Sequence, residues 1–278
     1  MSTVTIEKLG DTVGAEIVGV DRDRLLEDDA FPEWCLQALD ENGVLVFRRL
    51  HLDDETQVAF SKRLGEVEVP PMGSGALPEI YLVTRDPEKS PLAAYAAGTF
   101  DWHIDGCTDD VPIMATMLSA HQIDASGGDT EFASTYAAYD DLDDEERDRC
   151  LALRVLHSFE ASQLLRDPAP PLKELARWRK RPTKIHPLVW HHQSGRRSLV
   201  LGATTERVEG MTVEEGRAFL DGLLARATRP DRVYRHEWEL GDLVIWDNRG
   251  VLHRALPYDA SSPREMHRTT ISGDEPIQ

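Results

Sequence analysis

Asp242-Leu-Val-Ile-Trp-Asp-Asn-Arg-Gly-Val-Leu-His253 carries the fold signal from which the rest of the chain is read. Its apolar run is bounded by the tight connection Leu240-Gly-Asp242 and by the polar turn Asp247 to Gly250, which predicts a strand running into a turn. His253 then begins the next element. Upstream, Glu79–Thr84, Ile113–Ala120, Ala152–Phe159, Ser198–Gly202 and Val233–Glu239 are also short, rich in β-branched or aromatic residues, and closed by Gly, Pro or Asp. Gln193-Ser-Gly-Arg196 has the composition of a hairpin turn. From residue 79 onward the chain is predicted to be mainly β.

The N-terminal part mixes helix and strand. Gly14–Asp21 reads as a strand and turn, and Val44–Phe47 as a buried strand. Between them Phe31, Trp34, Cys35, Ala38 and Leu39 fall at helical spacing, so a helix is predicted over Asp29–Asn42, closed at Gly43. Asp53 is placed to cap another, ending at Gly65. Two further helices are expected: one within Asp141–Leu151, and one over Thr212–Ala227 opened by a Thr212/Glu215 capping box. No repeat and no linker divides residues 1–278, which read as one domain with flanking helices.

Composition narrows the function classes. The 278 residues carry 31 Lys+Arg against 50 Asp+Glu, a formal charge of −19. Such a surface repels phosphate backbones, so a nucleic-acid partner is not expected. Any anionic substrate must be captured by local charge against the global field. No stretch approaches the roughly 18 apolar residues of a membrane span, and the first ten residues lack a secretory pattern. Cys35, Cys107 and Cys150 are widely spaced and odd in number, so neither a disulfide framework nor a cysteine zinc site is expected. A reducing cytoplasm is the expected compartment. Within this acidic chain, Lys173–Lys184 holds six basic residues against Glu174 alone. The segment reads either as a solvated loop or as a lid that also draws in an anion.

Metal-binding chemistry is suggested by Thr99-Phe-Asp-Trp-His-Ile-Asp-Gly106. On a strand, His103 and Asp105 project to the same face and can reach one ion together. Alone, this pair is a weak signal. With His253 added, two imidazoles and one carboxylate on a β framework leave one face of a metal open, the arrangement of non-haem Fe(II) oxygenases. Arg264 and Arg268 follow, four residues apart, and share a side whether the segment is helix or strand. Their planar forks suit carboxylates and related anions. His191 and His192 flank the hairpin turn and are expected at the surface. His51, His121, His186, His236 and His267 show no partner pattern. Trp102 and Trp246 read as core or pocket walls.

These motifs resemble, together and in order over nearly the whole chain, the taurine dioxygenase and dichlorophenoxyacetate dioxygenase (TauD/TfdA) family. The resemblance rests on Gly14–Asp21, Trp102-His-x-Asp105, Gly127-Gly-Asp-Thr-Glu-Phe132, Trp246-Asp-Asn-Arg249 with Leu252-His253, and Pro263-Arg-Glu-Met-His-Arg268. It implies a double-stranded β-helix, or jelly-roll, core and an Fe(II)- and 2-oxoglutarate-dependent dioxygenase that consumes dioxygen. It implies His103, Asp105 and His253 as iron ligands, and Arg264 and Thr130 as partners of the distal 2-oxoglutarate carboxylate. Arg268 would take the acidic group of the primary substrate, with Thr99, His157, Ser158 and Phe159 as pocket candidates. Residues 66–98 and 160–184 would form lids, and a dimer or tetramer is common in such a family. A carboxylate at Asp105, where related halogenases give it up for chloride, implies hydroxylation.

The second half is similar to the phenoxyacetate-cleaving branch, notably Ser194-Gly-Arg-Arg197, Leu201-Gly202, Val208-Glu-Gly210 and Val233-Tyr-Arg-His236. The expected substrate is therefore a small aryloxyalkanoate-like carboxylate, with C–O cleavage following hydroxylation. Alternatives are an alkylsulfonate, an alkyl sulfate, or a carboxylate of secondary metabolism. A ring-bearing substrate predicts an apolar pocket, a taurine-like one extra polar donors. From outside the class, a zinc hydrolase would use the same triad, and a non-catalytic metal-binding protein would also keep it. Neither gives Arg264 and Arg268 a shared role, and iron-dependent consumption of 2-oxoglutarate separates them from the oxygenase.

Overall fold

A computed structural model describes residues 3–70, 75–91, 93–124 and 126–278, with the backbone alone for 94–97. The strands of the first half are β1 (Thr5–Lys8), β2 (Ala15–Val18), β3 (Val44–Phe47), β4 (Tyr81–Val83), β5 (Ala115–Gln122), β6 (Thr130–Ser134) and β7 (Arg154–Ser158). Then come β8 (Thr183–Pro187), β9 (Val189–His191), β10 (Arg197–Leu199), β11 (Thr205–Val208), β12 (Val233–His236), β13 (Leu243–Asp247), β14 (Val251–Ala255) and β15 (Glu265–Ile271). Helices α1 (Arg22–Glu27), α2 (Phe31–Asn42) and α3 (Asp54–Leu64) precede β4, while α4 (Thr135–Asp140) and α5 (Asp144–Leu151) follow β6. Helices α6 (Phe159–Leu164) and α7 (Leu172–Trp178) lie between β7 and β8, and α8 (Val213–Ala227) follows β11.

The large sheet has the order β1-β2-β3-β13-β5-β15-β4. All its neighbours are antiparallel except β2 and β3. The smaller sheets are β12-β6-β14, β11-β7-β8 and β10-β9. This is the mainly β, jelly-roll architecture.

The run at Leu243–Trp246 is apolar without alternation because β13 lies mid-sheet with both faces covered. Leu243 and Ile245 pack with Leu45, Phe47, Phe60 and Leu39 on the side of α2 and α3. Val244 and Trp246 point the other way, onto Phe132, Leu118 and Met266. At roughly 25 cal/mol per Å² of apolar surface removed from water, this double burial makes β13 a major source of stability.

The expected helix starts and stops have physical counterparts. Asp53 accepts from Thr56 N, Thr212 and Glu215 close a capping box, and Gly43 ends α2 at φ +70. Residues 141–143 precede α5, whose capping box uses Asp143.

Two expectations are corrected. The Thr99–Gly106 segment is not a strand: His103 makes only an isolated antiparallel bridge with His253, and residues 105–108 form a turn. His192 is buried rather than at the surface, because its ring is held between Glu275 Oε1 at 2.7 Å and Ser198 Oγ at 2.8 Å. That contact ties the C-terminal segment to the β9–β10 hairpin. His191, one residue away, is exposed as expected.

Half of the six basic residues at 173–184 are ion-paired. Arg179 pairs with Glu160, Arg177 with Glu174 and Lys184 with Asp110. Within the other expected lid, residues 71–74 and 92 lie outside the described residues.

Candidate active site

His103 and His253 are brought together by their backbones. Each donates its N–H to the other's carbonyl, at 3.0 and 2.9 Å, which joins the bridge segment to β14. The imidazole centroids are then 4.1 Å apart. Asp105 lies two residues along, in the turn, and faces both rings: its oxygens are 3.8 Å from His103 Nε2 and 3.6 Å from His253 Nε2. Those separations are too long for hydrogen bonds. A single cation bonded at about 2.1 Å to each ligand can span them.

Protonation favours the same use. His103 Nδ1 donates to the Asp101 carbonyl at 2.8 Å, leaving the Nε2 lone pair free. Burial, reinforced by neighbouring His103, keeps His253 well below the usual imidazole range, hence neutral. For Asp105 burial alone would raise the carboxyl. The positive field of Arg268, helped by the hydrogen bond from Thr116, overcomes this and holds it well below the usual carboxylate range.

A chain of hydrogen bonds orients that carboxylate. Trp246 Nε1 donates to Asn248 Oδ1, Asn248 Nδ2 to Thr116 Oγ1, and Thr116 Oγ1 to Asp105 Oδ2, at 3.1, 3.0 and 3.3 Å. Trp246 and Asn248 of the 246–249 motif therefore act through Thr116, while Asp247 holds Arg249. Gly202 matters on the opposite side. It sits at φ +115, and a Cβ there would lie 2.7 Å from the Trp102 carbonyl and 2.9 Å from His103 Cα. Only glycine permits that approach.

A cavity of about 430 Å³ opens on the triad. At one end, Arg264 is 3% exposed. Its guanidinium lies 5.0 Å from the centre of the Tyr258 ring. Burial lowers its pKa from the usual arginine value. Among the described residues no carboxylate forms a salt bridge with it. Thr130 lines the same cavity. Its Oγ accepts from Trp238 Nε1 at 3.0 Å, which leaves its own proton to give to another group. A buried cation beside a free hydroxyl donor is suited to an incoming carboxylate.

Arg268 stands nearer the triad. Its Nη2 donates to Asp105 Oδ2 at 2.9 Å and its Nε to Thr270 Oγ1 at 3.3 Å. Nη1 has no hydrogen-bond partner among the described residues. The rest of the wall includes Tyr81, Val83, Leu118, Phe159, Trp246 and Tyr258, with Leu118 and Tyr81 flanking Arg268 across the sheet. Thr99 and Phe159 thus reach the cavity, as does Thr84 from the expected 66–98 lid.

His157 and Ser158 do not line it. Ser158 is buried and caps α6 by accepting from Ala161 N. His157 is fully buried, its Nδ1 on Thr204 Oγ1 at 2.9 Å and its Nε2 without a partner among the described residues. Tyr258, Trp238 and Thr116 escaped the sequence reading. None lies in a motif with the ligands, and only folding brings them near.

Burial first, and His186 next, push the His157 imidazole down from 6.5 to about 3. A depressed histidine contributes stability that is fully present above the unfolded value and is lost as pH falls from about 6.5 toward 3. At about 1.4 kcal/mol per unit, the loss by pH 5 is about 2 kcal/mol. Urea unfolding at pH 7.5 and 5.0 should therefore show wild type losing about 2 kcal/mol more than His157→Gln. Equal losses would remove His157 as the cause.

The family model described as "Taurine catabolism dioxygenase TauD, TfdA family" matches residues 5–270. The chain is 38% identical over 259 residues to the alpha-ketoglutarate-dependent 2,4-dichlorophenoxyacetate dioxygenase of Burkholderia sp. (strain RASC), covering 84% of this chain and 83% of that one. It is 32% identical over 286 residues to the (S)-phenoxypropionate/alpha-ketoglutarate-dioxygenase of Sphingobium herbicidovorans, covering 97% and 95%. Among solved structures, AAD-2 in complex with Mn(II) and N-oxalylglycine superposes with a TM-score of 0.83 at 32% identity, covering 99% of this chain and 100% of that one.

Proposed function

The chain belongs to the TauD/TfdA family and is an Fe(II)- and 2-oxoglutarate-dependent dioxygenase, and from that premise we propose that it hydroxylates a small aryloxyalkanoate-like carboxylate. The observation that carries the substrate class is the cavity wall: Val83, Leu118 and Phe159 offer an apolar surface beside Arg268, whose Nη1 has no hydrogen-bond partner among the described residues. A ring fits the first and an acid group the second. A sulfonate bearing an amine would find, among the described residues of that wall, no carboxylate other than Asp105.

In this reading His103, Asp105 and His253 hold the iron. Bound Fe(II), with 2-oxoglutarate and dioxygen, supplies oxidation of an unreactive C–H bond, 2-oxoglutarate leaving as succinate and CO₂. Arg264 and Thr130 grip the distal carboxylate of the cosubstrate. Arg268 takes the substrate acid at Nη1 while Nη2 keeps Asp105, so one planar group sets the distance between the substrate and the triad. Phe159 and Thr99 close the wall against water, with α6 and the 160–184 segment as a lid. Hydroxylation of a carbon bearing an ether oxygen gives a hemiacetal-type product, which splits at the C–O bond to a phenol and an oxo acid.

The zinc-hydrolase alternative falls with the family membership. The compartment is read as cytoplasmic, supported by three free, buried cysteines, and no described helix is long and apolar enough to cross a membrane.

Succinate and phenol release would be measured with Fe(II), 2-oxoglutarate and, in turn, phenoxyacetates, taurine and alkyl sulfates. Phenoxyacetates should stimulate turnover most, and a larger response to taurine or an alkyl sulfate would sink the substrate class. Arg268→Ala should raise the KM for the acid by about 10²-fold, the cost of removing one partner of a charged pair. The KM for 2-oxoglutarate should stay within about threefold, well under 1 kcal/mol. A change confined to the cosubstrate would reverse the roles of the two arginines.

A further inference from the structure

Behind the catalytic cavity, a second set of metal-capable side chains converges on the outer face of the large sheet. Asp54 at the start of α3, His121 in β5 and His267 in β15 offer ligand atoms that all lie within 4.8 Å of one another. His267 is the chain neighbour of Arg268, and alternation along β15 turns it to the opposite face. The pairing of β15 with β5 sets Met266 against Ala120 and Glu265 against Gln122, so His121 is the extra residue of a β-bulge. Its imidazole lies over that of His267, centroids 3.6 Å apart and planes within 8°.

Hydrogen bonding makes these side chains ready for a cation. Ser119 Oγ gives its proton to Gln57 Oε1 at 2.6 Å, so toward His121 Nε2 at 3.1 Å it accepts. His121 therefore carries its hydrogen on Nε2 and keeps a lone pair on Nδ1, which has no hydrogen-bond partner among the described residues. Burial first, and His267 next, lower the His121 pKa from the usual value, favouring the neutral ring. His267 Nε2 donates to Glu265 Oε1 at 3.2 Å, and Lys89 anchors that carboxylate at 2.7 Å. A carboxylate on the outer nitrogen is the contact that orients metal-bound histidines. On the inner side, His267 Nδ1 shares a hydrogen with Asp54 Oδ1 at 2.5 Å.

We propose that Asp54, His121 and His267 form a second divalent-cation site, separate from the catalytic triad, with Glu265 as the orienting residue for His267. Two imidazoles and a carboxylate select a borderline ion of the Zn(II) class over Mg(II) or Ca(II), which prefer all-oxygen ligands. The cation replaces the hydrogen between Asp54 and His267. Stacked rings direct their in-plane lone pairs side by side, so His121 turns about its Cβ–Cγ bond to complete the site. Once bound, the ion clips α3 to β5 and β15, the strand whose other face presents Arg268.

The test uses untagged full-length protein, stripped with chelator, loaded with Zn(II), desalted and assayed for metal. Wild type should retain two equivalents, His121→Phe one, His103→Ala one, and the His103→Ala/His121→Phe double variant none. Phenylalanine keeps the ring stack while removing the ligand. Should that variant misfold by circular dichroism, Asp54→Asn gives the same reading from the start of α3. In the His103→Ala background Zn(II) should raise Tm, and that rise should vanish with Asp54→Asn. A single equivalent in wild type that His103→Ala abolishes would overturn the second site. So would a second equivalent that survives both His121→Phe and Asp54→Asn.

Discussion

His253→Ala is expected to lower kcat/KM by on the order of 10³-fold or more, with iron lost from the reconstituted protein. Changes to the outer partners of a metal ligand cost about 10- to 100-fold, and removal of the ligand itself costs more. The fold should survive. The bridge between residues 103 and 253 is made by backbone groups at 3.0 and 2.9 Å, which alanine keeps. The imidazole also touches Trp246, centroids 4.8 Å apart, so a modest loss of stability accompanies the change. Anaerobic reconstitution followed by iron quantification and a succinate assay decides the matter. A variant that keeps a full equivalent of iron and a tenth of the activity would remove His253 from the ligand set.

Arg264→Met is expected to weaken 2-oxoglutarate binding by about 10²- to 10³-fold, or about 3–4 kcal/mol, within the range for truncating one partner of a buried charged pair. The side chain is 3% exposed and lacks a carboxylate partner among the described residues, so the guanidinium is desolvated before any ligand arrives. This leads to a second effect of opposite sign. Without 2-oxoglutarate, methionine removes an uncompensated buried charge and should raise Tm by a few degrees. An anaerobic titration of the weak visible charge-transfer band with 2-oxoglutarate, beside a melting curve, reads both effects. An unchanged titration would assign the cosubstrate carboxylate elsewhere. Gly128 lies against the same side chain at φ +78, where a Cβ would come within 2.9 Å of Arg264 Cδ and Nε. The Gly-Gly-Asp-Thr turn therefore contributes both Thr130 and the space that Arg264 occupies.

Local chemistry made much of the architecture legible. The Thr212/Glu215 box, the Asp53 cap and the β13 run depend on residues close in sequence, and each forms the predicted element to within a few residues. The expectation for His192 failed because its environment is long-range: Glu275, more than eighty residues away, buries and holds it. Ser158 failed for a different reason. Its hydroxyl serves the N-terminus of α6, and strand spacing alone does not reveal where a helix begins.

The candidate site divides along the same line. His103, Asp105, His253, Thr130, Arg264 and Arg268 were named from motifs, because each motif carries its side chains on one short segment. Tyr258 under Arg264, Trp238 on Thr130, and Thr116 behind Asp105 were invisible, since each acts through a contact with a distant segment. His121 and His267 had no partner pattern in the sequence, yet a single bulge stacks them.

The sequence by itself determined the β-rich class, the family, and the chemical identity of the groups available to a metal and to carboxylates. The class and the available groups follow from composition, periodicity and short-range spacing, the family from motifs that resemble its pattern in order along the chain. Only the tertiary structure decided which groups meet: the neutral tautomers, the proton left free on Thr130, the burial of Arg264, and the apolar wall beside Arg268. These depend on strand register and desolvation, which arise when segments separated by tens or hundreds of residues pack against one another.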